Sequence, residues 1–85
     1  MFQAEEIERL IKQGLDCEFA HVLGDDGEHF TAIVVCAGFA GLSRVRQHQA
    51  VQATLGSLLG NEIHALQLQT FTPPAWAEFR EKMGI

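Results

Sequence analysis

The chain contains four histidines, and this residue type offers the most versatile chemistry in the sequence. They are His21, His29, His48 and His64. A neutral imidazole nitrogen can ligate a transition metal, and an imidazole can also carry a proton near neutral pH. No HxH or HExxH spacing occurs among the four, so no complete metal site is encoded locally. A partner protein could still complete a site that one or two of them begin.

A second candidate site is the glycine-bracketed segment 38–41. Gly38 and Gly41 have the GxxG spacing that nucleic-acid-binding KH domains use to bring backbone close to phosphates. Arg44 and Arg46 follow as a small basic cluster. With eight glycines in the chain, a GxxG also arises readily by chance. The segment is therefore either a phosphate-contacting loop or a plain turn, and the arginines are either a binding patch or ordinary solvated cations.

Length and charge exclude several classes of protein. Eighty-five residues predict one domain, 1–85, which is too small for a multi-step active site with its own cleft. No nucleophile and base, and no paired carboxylates, can be assigned, so we expect no enzyme activity. The net charge of -5 argues against wrapping nucleic acid by bulk charge.

Cysteine usage and the absence of long apolar runs bear on the compartment. Cys17 and Cys36 match neither a CxxC zinc pair nor a disulfide-dense secreted scaffold, so they are predicted to be reduced thiols. The acidic start of the chain does not resemble a signal peptide, and no apolar run approaches ~18 residues. We expect a soluble cytoplasmic protein without a membrane segment.

Six elements must position these residues. The patterns predict a helix over 4–13, strands over 16–24 and 28–36, a long helix from Ser43 to Leu59, a strand after Gly60, and a helix opened by Thr72 and two prolines. His48 falls in the apolar stripe of the long helix, where a packed and hydrogen-bonded histidine is expected. The fold class is α+β, with the order helix-strand-strand-helix-strand-helix and a three-stranded mixed sheet with helices packed on one face.

The two hairpin strands surround the turn segment 24–27, whose glycines and aspartates suit a tight connection. If these four residues form the loop, Leu23 lies opposite Glu28. The core face would then carry Cys17, Phe19, His21 and Leu23 from the first strand with Phe30, Ala32, Val34 and Cys36 from the second. This register buries His21 and leaves His29 on the opposite face, although the first strand is apolar on both faces and a shift of one residue stays open.

The last strand alternates cleanly between apolar and polar positions. Leu66 and Leu68 should face the core, while Gln67 and Gln69 face away. His64 shares the parity of the leucines and is expected at the sheet margin, half buried. In the helix that follows, Trp76, Phe79 and Met83 recur at spacings of three and four, which predicts one apolar stripe that packs on the domain.

Three separated segments together resemble the BolA-like proteins, and most closely their IbaG branch. They are Gly24-Asp25-Asp26-Gly27-Glu28-His29-Phe30, Phe39-Ala40-Gly41-Leu42-Ser43-Arg44-Val45, and Ile63-His64-Ala65-Leu66 through Thr72-Pro73-Pro74-Ala75-Trp76. The similarity spans nearly the whole chain. It implies a fold like a type II KH domain and a non-enzymatic role. In that role, the resemblance implies that the protein forms a heterodimer with a monothiol glutaredoxin and shares a [2Fe–2S] cluster with it. The family is separately associated with DNA binding, stress response and control of cell shape.

The resemblance assigns roles to individual residues. The family's histidine before the last strand falls on His64, and its His or Cys of the hairpin falls on His29. His21 stays open as the alternative second ligand, in case the hairpin register is shifted by one residue. A glutaredoxin cysteine and glutathione would supply thiolates to the other iron, and the chain alone would hold no cofactor. The alternative role is a KH-like regulator that binds DNA or RNA weakly through Gly38, Gly41, Arg44 and Arg46. Many members have Arg-His-Arg where this chain has Arg46-Gln47-His48-Gln49, which thins that basic surface. A homodimer is a further option.

Overall fold

A computed structural model describes residues 2–24 and 26–85. The elements are α1 (Ala4–Gly14), β1 (Cys17–Leu23), β2 (His29–Cys36), a 3-10 turn (Ala37–Phe39), α2 (Arg44–Leu55), a second 3-10 turn (Gly56–Leu58), β3 (Ala65–Phe71) and α3 (Pro73–Met83). β2 is the central strand, with β1 antiparallel and β3 parallel to it. The predicted element order and mixed sheet are confirmed. The turn segment 24–27 includes Asp25, which lies outside the described residues.

The main core lies between one face of the sheet and the two helices α1 and α2. Ile7 and Ile11 of α1 and Val51 of α2 are completely buried there. The sheet contributes its inward side chains, which are Ala20, Val22, Phe30, Ala32, Val34 and Cys36. Because β2 and β3 are parallel, the chain must cross from one end of the sheet to the other between them, and α2 makes that crossing. None of the helices in the described ranges is long and apolar enough to cross a membrane.

The predicted register of the hairpin is wrong for β1. Leu23 pairs with Thr31 rather than Glu28, a shift of three residues. Because side chains alternate along a strand, this odd shift moves the side chains of residues 19–23 to the opposite face, whereas the irregularity between Cys17 and Phe19 leaves Cys17 on the core side. Ala20 and Val22 are buried, whereas Phe19 and His21 are exposed. The β2 half of the prediction is confirmed, since Phe30, Ala32, Val34 and Cys36 all face the core.

A second difference concerns the C-terminal helix, which packs on the opposite face of the sheet from α1 and α2. Trp76 of α3 stacks on Phe19 at a centroid distance of 5.5 Å and contacts Phe71 at 5.2 Å. Phe19 and Phe71 both flank Val35 in the pairing register, and Val35 faces away from the main core. The prediction that the helices share one face is therefore wrong for α3, because an apolar stripe on a helix does not specify which sheet face it covers.

The long helix ends one turn earlier than predicted. Ser43 caps it as expected, since its hydroxyl oxygen accepts from the Arg46 N–H at 3.2 Å. At the other end, Gly56 has φ +55°, a conformation that glycine adopts without a steric penalty, and α2 stops at Leu55. His48 is half-buried as expected, but its Nε2 has no hydrogen-bond partner among the described residues, so the prediction of a fully hydrogen-bonded side chain is wrong.

The cysteines also differ from the prediction of two reduced thiols. An irregularity in the pairing between Cys17 and Phe19 places Cys17 directly opposite Cys36, with a Cα–Cα distance of 4.3 Å. The structure joins the two as a disulfide across the β1–β2 end. The predicted register did not indicate this pair, because it placed Cys17 opposite Val34, two residues before Cys36 on the same face.

Reduction of this disulfide is expected to lower the free energy of unfolding by about 3 kcal/mol, because the bond closes a loop of some twenty residues in the unfolded chain. Chemical denaturation with and without dithiothreitol measures the difference. The variant in which both cysteines are replaced by alanine is the control, and its stability should not respond to dithiothreitol. Two free thiols titrated in unfolded protein that was never exposed to a reductant would contradict the bond.

Candidate functional site

His29 and His64 lie side by side at one end of the sheet. His29 is the first residue of β2 and pairs with Ala65, the first residue of β3. The Ala65 N–H donates to the Glu28 carbonyl oxygen at 3.0 Å, which fixes the approach of His64 to the start of β2. The two ring centroids are 5.3 Å apart, with an interplanar angle of 77°. The parallel pairing of β2 and β3 therefore juxtaposes two histidines that are 35 positions apart in the sequence.

Both imidazoles are accessible to solvent. The His29 side chain is 57% exposed, and His64 is also exposed. The prediction of a half-buried His64 is therefore wrong, because His64 precedes β3 and is not part of the alternating ladder. An exposed imidazole pair is open to a partner or an incoming metal centre.

Asp26 holds His29 in place. One carboxylate oxygen of Asp26 accepts hydrogen bonds from the backbone N–H of Glu28 at 2.9 Å and of His29 at 2.8 Å. The other oxygen lies 2.8 Å from the His29 ring Nδ1. The backbone hydrogen bonds from His29 and Glu28, and then the His29 ring, hold the pKa of Asp26 well below its usual range. The carboxyl group is therefore ionised at neutral pH.

A shallow cleft of about 390 Å³ adjoins the pair. It is lined by Phe2, Asp26, Gly27, Glu28, Asn61, Glu62 and His64. The three carboxylates in this lining give the edge of the sheet a negative potential, which favours cations nearby.

His21 lies away from this pair. His21 faces Ile33, four residues along β2 from His29, which corresponds to about 13 Å of strand. Its ring stacks on Phe19 instead, at 6.2 Å. His21 is exposed, so the prediction of a packed core histidine is wrong. Among the four histidines, the structure brings together only the two that the family resemblance indicated.

The pair does not form a complete metal site within the described part of the chain. No group of three or more His, Cys, Asp or Glu side chains converges there in a metal-binding arrangement. His29 and His64 can offer two nitrogen ligands, and both carboxylate oxygens of Asp26 are already engaged as hydrogen-bond acceptors.

The candidate nucleic-acid segment lies at the other end of β2. Gly38 lies in the 3-10 turn that follows β2, and Gly41 has φ +81°. Arg44 and Arg46 are exposed on the first turn of α2. The seven residue steps from His29 to Cys36 correspond to about 23 Å, so the two candidate sites are separate surfaces.

Two side chains with positioning roles were not identified from the sequence. Gln47 donates to the Phe39 carbonyl oxygen at 3.5 Å and accepts from the Thr70 hydroxyl at 2.7 Å, so it connects the glycine-bracketed segment to β3. Asp26 is the other. An aspartate two or three residues before a strand often caps backbone N–H groups in an Asx turn, and that signal could have identified it.

Comparisons with known proteins agree with the fold. A family model described as BolA-like protein matches residues 13–75. Acid stress protein IbaG of Escherichia coli K12 is 38% identical over 94% of this chain and 95% of its own length. DNA-binding transcriptional regulator BolA of Haemophilus influenzae is 32% identical over 82% of this chain and 81% of its own length. A solved bolA protein homologue from Coxiella burnetii gives a TM-score of 0.74 at 35% identity, over 91% of this chain and 99% of that one.

Proposed function

Because the chain belongs to the BolA-like family, in its IbaG branch, we propose that it is a non-enzymatic partner in iron–sulfur cluster trafficking. It binds a monothiol glutaredoxin and shares a [2Fe–2S] cluster with it. The observation that carries this proposal is the exposed pair His29 and His64, whose rings lie 5.3 Å apart at one edge of the sheet.

The donor set suits one iron of such a cluster. Two imidazoles on one iron and two thiolates on the other is the arrangement of Rieske centres, in which the neutral ligands raise the reduction potential. His29 and His64 would be the two imidazole ligands from this chain. A glutaredoxin cysteine and glutathione would supply the thiolates, so neither protein alone holds all four ligands.

Cluster reconstitution tests the proposal. The chain is mixed with a monothiol glutaredoxin, iron, sulfide and glutathione, and the visible absorption and circular dichroism spectra are recorded. We expect a spectrum that differs from that of the glutaredoxin homodimer, together with a 1:1 heterodimer on size-exclusion chromatography. If the glutaredoxin spectrum and the mass of its complex do not change when this chain is added, the proposal fails.

A second candidate function has its own support. The relative from Haemophilus influenzae is named as a DNA-binding transcriptional regulator, and Arg44 and Arg46 are exposed beside the glycine-bracketed segment. Phosphate contacts through these residues would give an affinity for DNA that falls steeply as salt rises.

The two functions can be tested separately because their surfaces are separate. Replacing Arg44 and Arg46 by glutamine should weaken DNA binding and flatten its salt dependence, with no effect on the spectrum of the shared cluster. Replacing His29 and His64 should change the spectrum of the shared cluster and leave DNA binding and its salt dependence unchanged. Fluorescence anisotropy of labelled duplex DNA at several salt concentrations provides the binding measurement. DNA affinity that is unchanged in the arginine variant would exclude this surface.

A further inference from the structure

We propose that Asp26 is a positioning residue for His29, which fixes the ring tautomer and leaves Nε2 free to ligate a metal. The role of this positioning in helping His29 to ligate a cluster rests on the function proposed above. The arrangement of the ring itself does not, and it can be measured in the isolated chain.

The carboxylate of Asp26 is itself fixed by the backbone. Its two hydrogen bonds from the Glu28 and His29 N–H groups hold one oxygen in place within the four-residue turn 26–29. The second oxygen is thereby directed at the Nδ1 of the His29 ring, at 2.8 Å. The direction of the ring is therefore set by the loop and not by chance packing, although the His29 side chain is 57% exposed.

The contact also determines which ring nitrogen carries the proton. An ionised carboxylate can only accept hydrogen bonds, so the nitrogen that faces it must be the donor. In a neutral imidazole the other nitrogen then has the free lone pair. In His29 that nitrogen is Nε2, which has no hydrogen bond to the described part of the chain. A carboxylate behind a ligating histidine is the usual way in which proteins orient metal-binding imidazoles.

His29 and His64 differ in whether a hydrogen bond fixes the orientation of the ring. Among the described residues, no hydrogen bond holds the His64 ring, which contacts His29 edge to face. His29 is therefore the preorganised ligand of the pair, and His64 is free to adjust when a partner arrives. Asp26 acts through His29 because both of its oxygens already accept hydrogen bonds.

The variant D26N separates the effect on the tautomer from the effect on the loop. An asparagine carbonyl oxygen can still accept the two backbone N–H groups, so the turn should remain. The amide NH₂ would then face Nδ1 and donate to it, which forces the proton onto Nε2 and removes the lone pair from the ligating position. The matched control is D16N, the same chemical change at an exposed aspartate near the other end of the sheet.

Long-range ¹H–¹⁵N correlation NMR of the isolated chain, at a pH where the rings are neutral, reports each histidine tautomer. We expect the Nδ1–H tautomer for His29 in the wild type and in D16N, and a shift to the Nε2–H tautomer in D26N. The signals of His21 and His48 should not move. An Nε2–H tautomer for His29 in the wild type, or the same tautomer in D26N, overturns the proposal.

Cluster lifetime with a monothiol glutaredoxin is the second measurement. D26N should shorten this lifetime by a factor on the order of ten in a protein that is still folded, as is typical when the residue behind a metal-binding histidine is lost. A switched tautomer with an unchanged lifetime overturns the role in ligation. If the wild type forms no shared cluster at all, the proposed function fails, and the NMR result alone decides whether Asp26 positions His29.

Discussion

Replacing His64 by alanine is expected to shorten the lifetime of the proposed shared cluster by a factor of about 100 while the fold is retained. Loss of a residue that hydrogen-bonds to a metal-ligating histidine typically lowers metal affinity 10–100-fold. Loss of the ligating histidine itself should have at least as large an effect. The side chain is exposed and precedes β3, so its removal should change the free energy of unfolding by about 1 kcal/mol or less. Decay of the visible absorption of the heterodimer and thermal unfolding measure the two effects.

The control for this experiment is His21→Ala. His21 is exposed like His64, but it lies on β1 and is about 13 Å of strand away from His29. Its replacement should leave both the spectrum and the lifetime of the cluster unchanged. If instead His21→Ala disturbs the cluster and His64→Ala does not, His21 takes the ligand role and the His29–His64 pair is not the site.

The pairing of the two histidines shows what the sequence could and could not predict about the site. The alternation of Leu66 and Leu68 with glutamines correctly placed a strand after His64, with Gln67 and Gln69 facing solvent. The contact between His29 and His64 depends on the parallel register of β2 and β3, and no local pattern encodes a register between strands that a helix separates. Of the indications available from the sequence, only the family resemblance assigned these two residues to one site.

The error in β1 has a specific cause. Cys17, Phe19 and Leu23 alternate with Ala20 and Val22, so the strand is apolar on both faces and its periodicity does not identify the core side. The turn segment suggested a short loop, whereas Asp26 caps the start of β2 and the pairing begins only at Leu23 and Thr31. β1 is apolar on its second face as well because α3 packs on that face, where Trp76 stacks on Phe19.

Replacing Trp76 by alanine is expected to lower the free energy of unfolding by about 3 kcal/mol, because the indole joins α3 to the outer face of the sheet. It contacts Phe19, Phe71 and Phe79 at centroid distances between 5.2 and 5.9 Å. For a domain of this size the loss corresponds to a melting temperature lower by roughly 15 °C. Met83→Ala is the control on the same helix. Met83 is 62% exposed, which corrects its predicted place in the packed stripe, and its loss should have little effect.

A double-mutant cycle between Phe19 and Trp76 tests the arrangement of the faces directly. In the structure the two rings stack, so their effects on stability should be coupled by about 0.5–1.5 kcal/mol. In the register expected from the sequence, Phe19 would point into the main core beside α1 and α2, away from a helix on the other face. Independent, additive effects of the two alanine substitutions would therefore contradict the observed β1 register. A measurable coupling would place α3 against β1, where its aromatic side chains close the face of the sheet that α1 and α2 leave open.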